Sequence, residues 1–517
     1  MILDAEDLAR TEASLDTDIV IVGAGAAGLY LAKAFSTAGE NVLVLDAGDK
    51  VVVSAEEISP VTNLGKPHNG VAIGRAFGIG GTTTLWGGQL AEFQEQDFVQ
   101  PARTWPIRYQ ELSKYYSEVY RALGVPAAPH TEAVQQALGI DWIGGAELEQ
   151  FFTCWLPQPN FGLLFKSTIA SPAVKLVTNC TVFDFDLIEY GQVNALMAST
   201  PSGKKLRISC KRAIIAAGTI ASSQLFLSAA RRHRMPWSDN RLVGAAFHDH
   251  LVARVATVEL IDETKFRSLF ENATVLGHKL QPKLRRTAAS ASRYSTSVSG
   301  FFSFDASIGT QISNLKRTVR NLRSGVRGAD LLDALRSAPQ LGRLILPIVL
   351  RYLRDHRVLA VFDNGIGFDV QAEQKPIEES AVRLVGVAPL PNGLYPAGLD
   401  WRVDGCELES VRAFTRDVGS HLERSGIARL RHVEAFFEDD SAAMQSLSDT
   451  YHQAGGLQMG CSPLDGVTDS DGKVWGTRNL YVAGAALMPS SGYANCTLSA
   501  LALCDRLFNH LRSERRS

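Results

Sequence analysis

Glycines at close spacing are the residues of this chain best suited to bind a phosphate. Gly23, Gly25 and Gly28 follow the apolar run 18–22 and precede a helical pattern. In such a strand–turn–helix unit the first glycine permits a tight turn, the second lets the backbone approach a pyrophosphate, and the third allows close helix packing. A second apolar run ends in Asp46, 18 residues after Gly28, where a carboxylate can bind a ribose hydroxyl. The pattern predicts a dinucleotide-binding site, with a purely structural glycine-rich turn as the alternative.

A second glycine-rich segment, residues 74–88, interrupts the alternation of strands and helices. Within it Gly80 and Gly81 are followed directly by three hydroxyl side chains, those of Thr82, Thr83 and Thr84. Glycines allow close backbone approach, and hydroxyls can bind the polar edges of a flat ligand. The alternative is an ordinary loop.

Further apolar runs predict the sheet that must position these turns. Residues 211–217 form a buried-strand pattern that ends at Gly218 and is followed by a helical pattern over 222–230. Residues 178–182 indicate a strand near the nucleotide, and 479–484 indicate another that ends at Gly484. Strands that alternate with helices predict an α/β fold with a parallel sheet.

Other residues that could bind a metal or catalyse a reaction do not form a recognisable site in the sequence. His248 and His250 flank Asp249 at a spacing that could bind a metal, but no further ligand cluster is near them in sequence, so we expect a connecting segment and no metal. The chain contains no G-x-S-x-G motif, which argues against a serine hydrolase. Its seven cysteines are without C-x-x-C spacing, so neither a disulfide framework nor a zinc site is indicated.

The composition of the chain excludes several classes of protein. The 517 residues are 45% hydrophobic and 21% charged, which is typical of a large globular protein and excludes a disordered chain. A formal charge of −2 provides no field that would attract nucleic acid. The N-terminal residues 1–18 are acidic and lack a continuous apolar stretch, and the longest apolar run, 344–350, is too short to span a bilayer. We therefore expect a cytoplasmic protein with neither nucleic acid nor membrane as partner.

Residues 316–357 form a basic segment, with ten basic side chains against three aspartates. Apolar residues recur in it at helical spacing, which predicts one or two helices. A basic amphipathic helix can rest on a membrane or a partner, but a helical insertion with solvated charges is the simpler interpretation.

The C-terminal segments 451–460, 469–476, 479–484 and 488–499, taken with the N-terminal glycine motif, carry a family resemblance. Together they resemble the glucose-methanol-choline (GMC) oxidoreductases, which bind FAD and oxidise alcohols. The segments 79–86, 104–116, 240–250 and 373–384 also match family stretches and resemble the branch of pyranose oxidases and sugar dehydrogenases.

The resemblance implies roles for two residues that no spacing argument singles out. In the family a histidine and a second histidine or asparagine face the flavin, and these positions are His452 and Asn495 here. A neutral imidazole can accept the hydroxyl proton of the alcohol, while an amide can only donate to the developing alkoxide. The hydride then passes to flavin N5. The implied cofactor-binding residues are Gly23, Gly25, Gly28, Asp46, Gly80, Gly81, Thr82, Thr83, Thr84, Trp86, Val182, Gly218, Gly484, Ala485, Ala494 and Thr497.

One departure from the family concerns the flavin linkage. Leu85 occupies the position of the histidine that bonds the flavin covalently in some pyranose oxidases, so we expect noncovalent FAD. A covalent bond raises the flavin potential, and its absence leaves both O2 and another electron acceptor open.

These inferences combine into one expected architecture. A Rossmann-like FAD-binding unit would comprise residues 1–245 and 446–517, and residues 246–445 would supply an antiparallel substrate-binding sheet with a helical insertion at about 312–357. The expected function is oxidation of an alcohol, foremost a sugar or glycoside hydroxyl. The alternatives are a non-redox FAD-containing lyase of the same fold and an FAD-stabilised partner-binding subunit.

Overall fold

Two large β-sheets organise the chain. The computed structural model describes residues 1–11, 14–99, 104–142, 144–306, 347 and 350–514. Strands β1–β22 and helices α1–α15 are numbered in chain order over these residues. The first sheet has the order β1-β9-β3-β2-β12-β11-β10, with β22 also paired to β12. Its strands are β1 (Ile2–Asp4), β2 (Ser14–Val22), β3 (Val42–Leu45), β9 (Val174–Thr178), β10 (Thr181–Ile188), β11 (Gln192–Ser199), β12 (Lys205–Ile215) and β22 (Leu480–Val482).

The centre of the first sheet is parallel. Strand β2 pairs in parallel with β3 and β12, and β12 pairs in parallel with β22. The residues of β3 and the last four of β2 are all buried, as expected for apolar, β-branched strands covered by helices on both faces. Strands β10 and β11 extend this sheet in antiparallel fashion.

The C-terminal helix returns to the first βαβ unit. Helix α15 (Thr497–Glu514) packs on α2 (Ala26–Thr37), with the rings of Phe35 and Phe508 edge to face at 5.1 Å. The Tyr30 hydroxyl donates to Asp505 Oδ1 at 3.0 Å across the same contact. The two ends of the sequence therefore share one hydrophobic core.

The second sheet is antiparallel, in the order β20-β13-β17-β16-β15-β8-β7, with β14 paired to β15 and β21 to β13. One face carries phenylalanines that pack under helix α12 (Glu407–Arg424), among them Phe302 and Phe368. The opposite face is polar and is directed at the C-terminal segment described below. The strands are β7 (Gln89–Leu90), β8 (Leu148–Trp155), β13 (His250–Leu260), β14 (Ala273–Val275), β15 (His278–Arg286), β16 (Val298–Phe304), β17 (Ile366–Glu373), β20 (Ala428–His432) and β21 (Ser448–Asp449).

The remaining elements are short or peripheral. Strands β18 (Ala381–Leu384), β19 (Ala397–Asp400) and β5 (Val61–Asn63) form a third sheet, and β4 (Val53–Ser54) pairs with β6 (Ala76–Phe77). Within the described ranges no helix is both long and apolar enough to cross a membrane. The other helices are α1 (Ala5–Thr11), α3 (Ala55–Ile58), α4 (Tyr109–Ser113), α5 (Tyr116–Ala122), α6 (Thr131–Leu138), α7 (Phe161–Leu164), α8 (Lys166–Ala170), α9 (Thr219–Arg232), α10 (Glu263–Phe270), α11 (Ala288–Ala291), α13 (Glu434–Glu438) and α14 (Asp440–Ser446).

The structure corrects the expected strand over residues 178–182. The chain turns there, because Asn179 adopts a positive φ of 56° and its N–H donates to Gly48 O. Strand β9 ends at Thr178 and β10 begins at Thr181, so Val182 lies at the start of a new strand.

The expected boundary at residue 245 does not follow the pairing of the strands. Strands β7 and β8 precede that boundary in sequence, yet β8 pairs with β15 along its whole length. Antiparallel pairing needs no closeness in sequence, so the second sheet draws on both sides of the boundary. Of the expected insertion at 312–357, all but residues 347 and 350–357 lies outside the described residues.

Candidate active site

A cleft lies where the carboxyl ends of β2, β3, β12 and β22 meet. Three helices begin at it, since Gly25, Thr219 and Thr497 at the starts of α2, α9 and α15 all line the cleft. Helix N-termini offer unpaired N–H groups and a positive dipole end, which favours an anion such as a pyrophosphate. The sequence-predicted residues that line the cleft are Gly23, Gly25, Asp46, Gly81, Thr82, Thr83, Val182, Gly218, His452, Gly484, Ala485 and Thr497.

The three glycines of the first turn occupy different surroundings. Gly23 has φ of +111°, and a Cβ there would lie 2.5 Å from Ala216 O. A Cβ on Gly28 would lie 1.8 Å from Gly23 O, so this glycine lets α2 pack against the turn and does not line the cleft. No atom lies within 4 Å of a Cβ built on Gly25, so its backbone faces open space.

Asp46 connects the first turn to the second glycine-rich segment. Its Oδ2 accepts from Ala24 N at 2.7 Å, and its Oδ1 accepts from Gly48 N at 2.9 Å and from Gly78 N at 2.8 Å. Burial raises the pKa of Asp46 to about 6, and the three N–H donors act in the opposite direction. The Asp46 side chain therefore holds the two glycine-rich segments together and also lines the cleft.

The three hydroxyls of the second segment have separate roles. Thr83 Oγ1 donates to Gly80 O at 2.6 Å and accepts from Phe161 N at 2.9 Å, and Thr84 Oγ1 donates to Gly81 O at 2.9 Å. These two hydroxyls hold the 3-10 turn Gly81–Thr84 in shape. Thr82 is exposed and lines the cleft, so its hydroxyl faces open space.

Several predicted residues lie outside the cleft lining: Gly28, Gly80, Thr84, Trp86, Ala494 and Asn495. Trp86 is tied back to the protein, because its Nε1 donates to Pro159 O at 2.7 Å. Asn495 does not line the cleft, whereas the neighbouring Cys496 does.

His452 lies where the cleft meets the polar face of the second sheet. Its Nδ1 is 2.7 Å from Thr450 Oγ1 and 3.1 Å from His250 Nδ1. Strand β13 begins at His250, so the segment that was expected only to connect elements places a second imidazole against the first.

The partners of the two rings fix their protons. His250 Nε2 lies 2.8 Å from Gly492 O, which only accepts, so Nε2 carries the proton and Nδ1 of a neutral His250 is an acceptor. The Thr450 hydroxyl donates to Asp249 Oδ1 at 2.9 Å, so its oxygen is also an acceptor toward His452. His452 Nδ1 thus faces two acceptors and carries the ring proton, which leaves Nε2 with a free lone pair.

The surroundings keep both rings neutral. Burial, together with the neighbouring His250, lowers the pKa of His452 to about 3, while the Asp249 carboxylate acts in the opposite direction. Burial also lowers the pKa of His250. An uncharged imidazole with a free Nε2 can accept a proton from a ligand hydroxyl.

Asp249 holds the backbone that carries His452. Its Oδ1 accepts from His452 N at 3.0 Å and from Thr450 N at 3.3 Å. Between them Tyr451 adopts φ of +66°, a left-handed conformation that costs a non-glycine residue about 1–2 kcal/mol. The carboxylate therefore stabilises a strained turn, and strain of this kind is typical of functional sites.

A further buried histidine supports Asp249. His68 Nε2 lies 3.1 Å from Asp249 Oδ2, and its Nδ1 lies 3.5 Å from Asp449 Oδ2. The expectation that no additional ligands lie near the 248–250 segment was wrong, because the fold brings His68, Asp449 and His452 to it. Hydrogen bonds account for the Asp249 and His250 atoms, and we assign no metal.

Asn495 contacts the second sheet through a chain of amides. Its Nδ2 donates to Gln89 Oε1 at 3.4 Å, and Gln89 Nε2 donates to Gln281 Oε1 at 2.5 Å. The next residue, Cys496, approaches His452 O with its Sγ at 4.0 Å. The segment that carries Asn495 therefore lies between His452 and the polar face of the second sheet.

Sequence reasoning missed His250, Asp249 and Thr450 as parts of this site. The His-Asp-His run is a usable signal, but its spacing alone suggests metal binding and not a proton network. Thr450 carried no signal, since its role depends on a turn that brings its hydroxyl onto His452.

The residues of the cleft fit a flavin dinucleotide. A Cβ on Gly25 or on Gly218 would meet no atom within 4 Å, so both backbones leave room for a ligand beside the helix N-termini. Apolar and small residues, among them Ala217, Ala483 and Leu501, line the rest. The fold and the cleft are typical of proteins that bind a dinucleotide at the carboxyl ends of a parallel sheet.

Comparison with known proteins relates the C-terminal part of the chain to a described family. Residues 376–504 match the profile described as GMC oxidoreductase. The fructose dehydrogenase large subunit of Gluconobacter japonicus is 23% identical over 593 aligned positions, which cover 96% of this chain and 99% of that protein. Paromamine 6'-oxidase of Streptomyces fradiae is 22% identical, with coverage of 93% and 88%. The profile match over residues 376–504 and these two relatives support the GMC oxidoreductase family, whose members are FAD-dependent enzymes that act on alcohol groups.

The fold agrees with that assignment. The crystal structure of pyridoxine 4-oxidase from Mesorbium loti superposes with a TM-score of 0.61 at 15% identity, and the match covers 96% of this chain and 99% of the other.

Proposed function

We propose that this protein oxidises a hydroxyl group of a sugar or glycoside to a carbonyl, with noncovalently bound FAD. The observation that carries the proposal is the state of His452: its Nδ1 proton is held by two acceptors, so the ring lone pair lies on Nε2, and the residue lines the cleft. Relatives named as a fructose dehydrogenase and a paromamine 6'-oxidase favour a sugar or glycoside over other alcohols.

His452 and Asn495 have different roles at the substrate oxygen. His452 Nε2 accepts the hydroxyl proton, and Nδ1–H remains bonded to Thr450 and His250 while the ring becomes charged. The amide of Asn495 donates to the same oxygen as negative charge develops there. The bound flavin supplies the acceptor for the hydride that leaves carbon.

The cofactor would be held by the cleft without a covalent bond. The N–H groups at the starts of α2, α9 and α15 suit its phosphates, Asp46 its ribose, and Thr82 a polar edge of its ring. Leu85 offers no atom that could bond to the flavin. In this arrangement the expected unit of 1–245 with 446–517 binds the cofactor, and the second sheet, including β7 and β8, faces the substrate.

The experiment is anaerobic addition of sugars, glycosides and simple alcohols to the purified yellow protein. We expect bleaching of the flavin absorbance by at least one sugar or glycoside and release of FAD into the supernatant on acid precipitation. Cleavage or rearrangement of a substrate without bleaching would favour the lyase alternative, and flavin in the pellet would contradict noncovalent binding. Comparing the rate at which O2 reoxidises the reduced flavin with the rate for an artificial acceptor then identifies the class of electron acceptor.

A further inference from the structure

Lys283 is a buried lysine in the middle of strand β15. Only 5% of the residue is exposed. Its ammonium lies 5.0 Å from the centre of the Phe301 ring on the adjacent strand β16. Over the described parts of the chain no carboxylate forms an ion pair with it, and burial alone lowers its pKa, to about 8.

The position of Lys283 follows from its neighbours on the same face of the strand. Side chains two residues apart on a strand share a face, so Gln281, Lys283 and Arg285 point the same way. Gln281 reaches Asn495 through Gln89. The guanidinium of Arg285 donates to the hydroxyl of Tyr493. Lys283 is thus bracketed by Arg285, which contacts Tyr493 directly, and by Gln281, which reaches Asn495 through Gln89.

The acidic side chains around this face already have other partners. Glu149 pairs with Arg285 Nε at 2.5 Å, Glu373 accepts from Gly492 N at 2.8 Å, and Asp249 holds the turn at His452. The cross-strand neighbour of Lys283 on β8 is Phe151, which is apolar. A buried ammonium among aromatic rings is costly unless a partner arrives to pair with it.

The ammonium also acts on the catalytic histidines. Its positive charge contributes to the lowered pKa of His452 and to that of His250. An anion bound to Lys283 would cancel this effect and make His452 a stronger proton acceptor when substrate is present.

We propose that Lys283 binds an anionic substituent of the alcohol substrate, a carboxylate or a phosphate, so that the enzyme prefers sugar acids or sugar phosphates to neutral sugars. This proposal rests on the proposed function, since it names the substrate class of the same site. Lys283 is a specificity residue in this account, and the ion pair places the substrate hydroxyl between His452 and Asn495.

The test is a titration of the FAD-loaded enzyme, monitored by the flavin spectrum, with three probes: D-glucuronate, D-glucose 6-phosphate and neutral methyl α-D-glucoside. The first two distinguish a carboxylate from a phosphate. We expect at least one anion to perturb the spectrum at lower concentration than the glucoside. Lys283→Gln should weaken that binding by about 10- to 100-fold, the usual worth of a hydrogen bond to a charged group. Lys283→Arg should restore part of it, and exposed Lys175→Gln on β9 serves as the control.

Several outcomes overturn the proposal. The first is that neither anion perturbs the flavin spectrum. The second is that Lys283→Gln weakens the binding of anion and glucoside equally. The third is that Lys283→Gln slows only the reoxidation of the flavin by O2. Bleaching by a neutral sugar together with absent anion binding rejects the role of Lys283 but keeps the proposed function. Anion binding that depends on Lys283, with no bleaching by any alcohol, rejects the proposed function and keeps the anion site.

Discussion

At the scale of single residues, the chemistry depends on which nitrogen of His452 carries the proton. His250 and Thr450 both accept from Nδ1, and His250 can do so because its own Nε2 proton is committed to Gly492 O. A histidine without such partners would divide its population between two tautomers, only one of which presents a lone pair to the substrate.

Replacing His250 tests this assignment. His250→Ala removes one acceptor of the His452 Nδ1 proton, and we expect flavin reduction to slow by about 10- to 100-fold, since one hydrogen bond to a charging group is worth about 1.5–3 kcal/mol. His250→Gln, whose amide has both an acceptor and a donor, should recover part of the rate. The measurement is anaerobic stopped flow with matched FAD content, and equal rates in all three proteins would remove His250 from the proton network.

The pH dependence of the same step follows from the lowered pKa of His452. The imidazole accepts a proton only when neutral, so the rate should fall as pH drops through that pKa, well below the ordinary value of about 6.5. We expect flavin reduction in the wild type to stay constant from about pH 8 down to about pH 6. A half-maximal rate at pH 7 or above would contradict the buried, neutral state of the ring.

The sequence predicted the cofactor side of the site better than the substrate side. The glycines and Asp46 are local features of a strand–turn–helix unit, and their spacing alone indicates what they bind. His452 and Asn495 came only from the family resemblance. His250 stands in a His-Asp-His run whose spacing indicates metal binding, and Lys283 carries no signal, because antiparallel pairing between strands distant in sequence brings both to the site.

At the scale of elements, Asp46 ties the end of β3 to two glycine-rich turns. Asp46→Ala removes an acceptor for three N–H groups as well as the proposed ribose partner, so FAD affinity should fall by about 1.5–3 kcal/mol or more. Exposed Asp239→Ala is the control. Equal FAD content in both variants after dialysis would show that Asp46 contributes nothing to cofactor binding.

A second element-scale prediction concerns Glu373 at the end of β17. Burial, together with the nearby Asp97, raises the pKa of Glu373 to about 8, so the folded protein holds a proton that the unfolded chain releases near its ordinary value of 4.5. Between these values stability falls as pH rises, because the folded state binds more protons. Glu373→Gln keeps an acceptor for Gly492 N and cannot ionise, so it removes the loss of stability that accompanies rising pH.

The melting temperature of Glu373→Gln relative to the wild type should therefore improve as pH is raised from about 5 to about 8. The comparison uses FAD-loaded protein in calorimetry, with the same cofactor content in each sample. A difference that is constant over this range, or that declines with rising pH, would show that Glu373 is ionised in the folded protein.

Across the molecule, two segments from the C-terminal part of the chain fold back onto earlier elements and close the active site. Helix α15 packs back on α2, and the 450–453 turn packs against the start of β13. The sequence indicated the parallel sheet, since its strands are apolar runs that alternate with helical patterns. It did not indicate that β7 and β8 join the second sheet, because a two-residue strand and an aromatic-rich run lack a pattern that specifies their partner.

Proton transfer from the substrate to His452 can be followed by anaerobic stopped-flow reduction of the flavin in His452→Ala. With a sugar or glycoside that bleaches the wild type, we expect the variant to keep its FAD and to be reduced about 10² to 10⁴ times more slowly. Asn495→Ala should slow the same step by a comparable or smaller factor, and the double variant should be less impaired than the product of the two, because both residues act on one oxygen. Reduction of His452→Ala at the wild-type rate would show that another group accepts the substrate proton.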